Sequence, residues 1–275
     1  MAEHRLMTPG SPEYPVGLGD LEKPPPVYVS GSLTDATAVA IVGTRRCTRY
    51  GSDLARSFGK ALGRSGWTTV SGLARGIDAE AHKGTLSADG HAVAVLGCGI
   101  DICYPVENRD LYNAILEKGG ALISEYPPGT RPDRWRFPAR NRLIAAMSSA
   151  VVVVEAGEKG GALITARLAA EIGRPVLVVP GDVDRPASAG CNRLIRDGAF
   201  PVLGTDDLLE ELELLIGPPP SAVEPDPDSD IPDGGIGIED LPALWSCSPS
   251  EALVRLARME GEGLVGRSGD RILPV

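Results

Sequence analysis

AVVVVEAGEKGGALITARLAAEIGRPVLVV, residues 150–179, decides the fold. Its two ends, AVVVV and PVLVV, are short runs of β-branched residues without polar alternation, so each must bury both of its faces. Between them a glycine turn at Gly160 and Gly161 leads into a helix-like stretch. Strand, crossover helix and second strand make a βαβ unit, the building block of a parallel sheet covered by helices on both sides.

The same alternation runs upstream. AVAIV (38–42) precedes YGSDLARSFGKALGRSG, WTTVS (67–71) precedes GIDAEAHKGTLSADG, and HAVAVLG (91–97) precedes NRDLYNAILEKG. GALISE, a Pro- and Arg-rich loop at 127–139 and NRLIAAMSS carry the pattern to residue 150, and TDDLLEELELLIG reads as the last helix. The expected fold is therefore α/β: an extended Rossmann-like, doubly wound, mostly parallel sheet. Residues 1–35 are read as a lead segment, 36–216 as the extended Rossmann-like domain, and 217–235 as a disordered acidic linker rich in Pro, Asp, Ser and Gly. Residues 236–275 hold two helix-like segments and a glycine-turned ribbon, the layout of a short winged-helix-like module.

With 275 residues and 43% apolar content the chain can bury a sizeable core. It contains no run of eighteen apolar residues, and its first twenty lack the layout of a secretory signal, so a cytoplasmic protein without membrane contact is expected. The cysteines at 47, 98, 103, 191 and 247 form no CxxC pair and have no histidine-rich neighbourhood; neither a disulfide framework nor a metal site is expected.

A net charge of −10 argues at first against a polyanion ligand. The distribution reverses that judgement. Residues 203–275 hold 16 Asp and Glu against 4 Arg, whereas the segment from Arg131 to Arg142 carries five arginines against Asp133 alone. Arg45, Arg46 and Arg49 form a second basic group. Such runs can be no more than a solvated face, and motifs must decide.

Four segments follow predicted strands. IVGTRRCTRYG (41–51) places Gly43, Thr44, Arg45 and Arg46 at a strand–helix turn, where backbone amides and guanidinium groups favour a phosphate; it is not a dinucleotide GxGxxG fingerprint. SGLARGIDAEAH (71–82) offers Gly72, Arg75 and Gly76, while Asp78 and His82 stand four apart and read mainly as a helix-face pair. RWRFPARNRLIAAMSS (134–149) interleaves Trp135 and Phe137 with Arg136, Arg140, Asn141 and Arg142, the composition of a single-strand binder. EAGEKGGALITARLA (155–169) brings Lys159, Gly160, Gly161 and Thr165 to a helix start. In an open parallel sheet, loops after strands share one edge, so the four segments are expected to converge near the topological switch point.

Together these residues resemble the DNA-processing protein A family, also called DprA or Smf. Seven blocks match in order, from VGTRRCTRYG through SGLARGIDAEAH, AVLGCGIDICYP, LISEYPPG, FPARNRLIA and VVVEAGEKGGALITA to GRPVLVVPGDVDRPASAGCNRLIRDGA. The resemblance implies an extended Rossmann-like fold, a homodimer, binding and protection of incoming single-stranded DNA, and loading of the RecA recombinase in natural transformation. Carried onto this sequence, Gly43, Thr44, Arg45, Arg140 and Arg142 would hold backbone phosphates and Asn141 would lie near a base or sugar. Stacking by Phe137 is an inference from its neighbours. No cofactor and no catalytic residue are implied.

An enzymatic alternative is a Rossmann-like nucleotide phosphoribohydrolase. Those enzymes carry PGGxGTxxE at the glycine loop, and EAGEKGGALITA lacks both the Thr after the glycines and the following Glu. A third reading makes the acidic tail an interaction element and the core a dimerising scaffold.

Overall fold

The computed structural model describes residues 4–219, 236–245, 249–262, 265–268 and 271–274. The chain divides into two compact units, Met1–Ser221 and Ala222–Val275. The linker expected at 217–235 lies, from residue 220 onward, outside the described residues.

The first unit is built on one nine-stranded sheet. Its central strands are β3 (Ala38–Val42), β4 (Thr68–Ser71), β5 (Ala92–Val95), β6 (Ala121–Ser124), β7 (Ala150–Val153), β8 (Val176–Val178) and β9 (Phe200–Pro201). Two more, β1 (Arg5–Met7) and β2 (Val27–Gly31), precede them. The spatial order is β1-β2-β6-β5-β4-β3-β7-β8-β9. All neighbours from β6 to β9 pair in parallel, while β2 runs antiparallel to β6 and β1 antiparallel to β2. The mostly parallel sheet expected from 150–179 is present. The residues read as a lead segment supply two strands of the same sheet, β1 and β2.

Helices cover both faces, as strands apolar on both sides require. Val39, Ile41, Val152 and Val154 point toward Ala55, Phe58 and Leu62 of α1 (Arg49–Arg64), Ile77 and Ala81 of α2 (Ile77–Ser87), and Leu208 and Leu212 of α7 (Thr205–Ile216). Leu111 and Ile115 of α3 (Arg109–Glu117) pack beside Ala94 and Leu122. The alternate residues Ala40, Val42, Val151 and Val153 face Leu143 and Ile144 of α4 (Arg136–Ala146), Ala162 and Ala166 of α5 (Gly161–Glu171), and Cys191 of α6 (Ala189–Arg196). The strands succeed one another from β3 to β6 in one direction; the chain then crosses back and continues from β7 to β9 in the other. The order therefore reverses between β3 and β7, which opens a crevice beyond their carboxyl ends.

In the second unit, β10 (Ile236–Gly237), β12 (Arg271–Pro274) and β11 (Val265–Ser268) form an antiparallel sheet beside α8 (Leu241–Leu244) and α9 (Pro249–Glu262). Leu241, Trp245, Leu256, Met259, Val265 and Ile272 make its small core. Among the described residues no helix is long and apolar enough to cross a membrane.

Candidate nucleic-acid interface

A cavity of about 600 Å³ opens at the switch point. Three of the four motif segments supply most of its wall, through Gly43, Thr44, Arg45 and Arg46 after β3, Phe137, Arg140 and Asn141 of α4, and Lys159, Gly160, Gly161 and Thr165 around the start of α5. From the segment after β4 only Ala74 and Asp78 reach it.

Its positive charge comes from Arg45, Arg46, Arg134 and Lys159 at the surface and Arg140 beneath. The four surface cations have no carboxylate partner among the described residues. Asp78 is the one carboxylate in the wall, and it is buried. Its Oδ2 accepts from the amides of Gly72 at 3.1 Å and Ala74 at 3.4 Å. Burial raises its pKa and the Arg140 guanidinium opposes that rise. Arg140 in turn donates to the carbonyls of Gly72, at 2.8 Å, and Val95. Its pKa is lowered to about 10, chiefly by burial, so it stays charged at neutral pH.

Arg140 is thus a floor residue whose Nη1 is committed to carbonyls, and its role is to hold the loops after β4 and β5 together. A Cβ at Gly72 would stand 2.6 Å from its guanidinium, which explains the glycine. At Gly76, φ is +75° and a Cβ would lie 2.4 Å from the carbonyl oxygen of Thr44, so this glycine lets the loops after β3 and β4 touch.

Several expected donors are likewise engaged. The Thr44 amide donates to the carbonyl of Glu155 at 2.7 Å, and the Arg46 amide donates to Thr44 Oγ1 at 3.2 Å. Asn141 Nδ2 donates to the Gly161 carbonyl at 3.0 Å and Thr165 Oγ1 donates to the same oxygen at 3.2 Å. These contacts shape the glycine loop and leave the first amides of α5, which have no intrahelical partner, as its donors. No other atom lies within 4 Å of where a Cβ would stand at Gly160, so that approach is open.

Gly72, Arg75, Gly76, Arg136 and Arg142 do not line the cavity. Arg75 pairs with Glu107. Arg142 donates through Nη2 to both carboxylate oxygens of Glu125, at 2.8 and 3.0 Å, both side chains half-buried. Arg136 turns toward Tyr126, Trp135 and the Arg131 carbonyl. A local sequence pattern registers cation density but not the long-range carboxylates, such as Glu125 and Glu107, that claim individual guanidinium groups.

Phe137 reaches the cavity with two neighbours on its ring. Tyr104 stacks on it with centroids 5.2 Å apart, and the Arg45 guanidinium carbon lies 5.3 Å from its centroid. The more exposed ring of the pair is Tyr104, which the sequence reading missed because it sits in the loop after β5 without basic neighbours at its side. Arg134 was also missed as a site residue, although the basic run that contains it was the available signal.

Fold and crevice define a Rossmann-like α/β protein with an arginine- and glycine-lined cleft at the reversal of its sheet. The model of the family "DNA recombination-mediator protein A" matches residues 5–213. Protein Smf from Synechocystis sp. is 46% identical over 215 residues, which cover 76% of this chain and 54% of that protein. The chain thus spans about half the length of that curated relative. The X-ray structure of DNA processing protein A from Streptococcus pneumoniae superposes with a TM-score of 0.71 at 36% identity, covering 76% of this chain and 74% of that one. The corresponding Helicobacter pylori protein, whose solved structure is described for its single-stranded DNA binding mode, gives 0.69 at 29% identity over 77% of this chain and 98% of that one. This chain belongs to the DNA recombination-mediator protein A family, as the ordered sequence blocks implied.

Proposed function

We propose that the crevice binds single-stranded DNA and that the protein, as a homodimer, protects incoming strands and hands them to a RecA-type recombinase during natural transformation. One observation carries the binding step: four surface cations, without carboxylate partners among the described residues, surround a wall whose single acid is buried against Arg140. Arg45, Arg46, Arg134 and Lys159 follow backbone phosphates, and the α5 amides take one at the glycine loop. A concave cleft with Tyr104 and Phe137 in its wall suits unstacked bases, which a duplex keeps inside. Single-stranded DNA binding is described for the Helicobacter pylori relative. Handover to the recombinase, dimerisation and a winged-helix-like role for residues 236–275 rest on membership of the family.

The test is fluorescence anisotropy with labelled single- and double-stranded oligonucleotides over a salt series. Arg45→Ala and Lys159→Ala should each weaken single-strand binding, and each should flatten the slope of log affinity against log salt by about 0.7. Equal, weak binding to both forms, unchanged in both variants, would overturn the assignment.

A further inference from the structure

The loop before α4 carries a second aromatic arrangement outside the crevice. Trp135 is 59% exposed. Its Nε1 donates to Asp133 Oδ2 at 3.0 Å, which fixes the indole edge. The guanidinium carbon of Arg136 lies 5.1 Å from the Trp135 ring centroid and 5.0 Å from that of Tyr126. Tyr126 meets the indole edge-on, with centroids 6.3 Å apart. Arg136 is anchored in turn through Nη1 to the Arg131 carbonyl. A solitary exposed tryptophan needs no explanation. This one is held in a set orientation by three neighbours, with a cation against its ring, so little side-chain entropy remains to be lost when a ligand arrives.

We propose that Trp135, backed by Arg136 and Tyr126, is a second stacking platform that takes a nucleobase of the single strand next to the one in the crevice. The inference rests on the crevice binding single-stranded DNA. Arg134, immediately before Trp135, and Phe137, two residues after it, both line the crevice. Alpha carbons two residues apart are separated by at most about 7 Å. The indole and the Phe137–Tyr104 pair are therefore within reach of neighbouring nucleotides, and Arg134 meets the phosphate between them. Base stacking on an aromatic ring is indifferent to base identity, which suits a binder of arbitrary sequence. A Trp–Arg–Tyr cluster is also a common protein-docking feature. Here the surrounding charge, Arg131, Arg134 and Arg136 against Asp133, favours a polyanion.

The chain contains three tryptophans, and the other two are buried, Trp67 at 1% and Trp245 at 8% exposure. All three emit, but of these only Trp135 can be touched by a stacking base, so a change of emission on adding a single strand reports on Trp135. Titrating the full chain with an oligothymidylate of about 12 nucleotides should quench that emission. Trp135→Ala should abolish the quench and weaken binding about tenfold, whereas Trp135→Phe keeps most of the affinity. An abasic oligonucleotide of equal length and charge should bind the wild type and Trp135→Ala alike. Emission from buried Trp67 verifies that the variants fold. If anisotropy shows binding that depends on Arg45 while the emission and the Trp135→Ala affinity stay unchanged, the platform falls and the crevice stands. If the wild type binds no single strand, both fall. Retained DNA affinity with loss of recombinase capture in Trp135→Ala would make the cluster a protein-docking site and overturn the proposal.

Discussion

Asp78 and His82 show how a residue's role depends on what surrounds it. Their spacing suggested a pair on a helix face, yet both are buried and neither serves the other: Asp78 is bound to two amides beside Arg140, and neither ring nitrogen of His82 has a hydrogen-bond partner among the described residues. Burial, with Arg140 nearby, lowers the His82 pKa to about 3 from an ordinary 6.5. The unfolded chain therefore binds a proton that the folded chain refuses between those values. Stability from the neutral imidazole is complete above about pH 6.5 and declines as pH falls toward 3. At pH 5 the loss from this group amounts to about 2 kcal/mol. Urea unfolding of the wild type and His82→Leu between pH 7.5 and 5 measures it: the variant should lose that much less stability than the wild type over the interval. Identical pH dependence in the two proteins would assign the acid sensitivity elsewhere.

At the scale of elements, α1 and α2 approach each other through glycines. A Cβ at Gly59 would lie 2.1 Å from the Ala81 carbonyl oxygen, and one at Gly84 would lie 2.0 Å from that of Arg56. Backbone cannot yield as a flexible side chain would, so Gly84→Ala should separate the helices and cost at least about 1–3 kcal/mol in thermal unfolding. An unchanged melting temperature would refute this packing. The helix α1 itself begins where Thr48 accepts from the Gly51 amide at 3.1 Å, and Glu155 accepts from the Thr48 amide at 3.0 Å. The loops after β3 and β7, which border the switch point, are thereby joined. The central strands and their helices were legible because each repeats the same apolar-run and amphipathic-helix pattern. The edge strands were not: β1 has three residues and β9 two, too few for any periodicity to register. Strand β2 was passed over because nothing local distinguishes an antiparallel edge partner of β6 from a lead segment.

At the scale of the molecule, charge is divided along the chain, with 16 acidic residues against 4 arginines from residue 203 onward. The crevice belongs wholly to the first compact unit. A chain ending at residue 219 should therefore bind single-stranded DNA with undiminished affinity, while recruitment of the recombinase is lost if the acidic segment is its contact. Anisotropy with the truncated chain, and pull-down of recombinase on DNA-coated beads, separate the two effects; a marked fall in DNA affinity would show that residues 220–275 take part in binding. Sequence alone determined the doubly wound sheet, the family and the meeting of segments at one edge, because strand periodicity, glycine turns and loop polarity are local properties that chain order converts into topology. Which guanidinium groups face a ligand was decided only by the tertiary structure. Among the described residues Arg45, Arg46 and Arg134 have no carboxylate partner, whereas Arg142 is claimed by Glu125 and Arg140 by carbonyls more than forty residues away, at Gly72 and Val95. A charge is available only if no partner from elsewhere in the chain is folded against it, and that depends on contacts between residues distant in sequence.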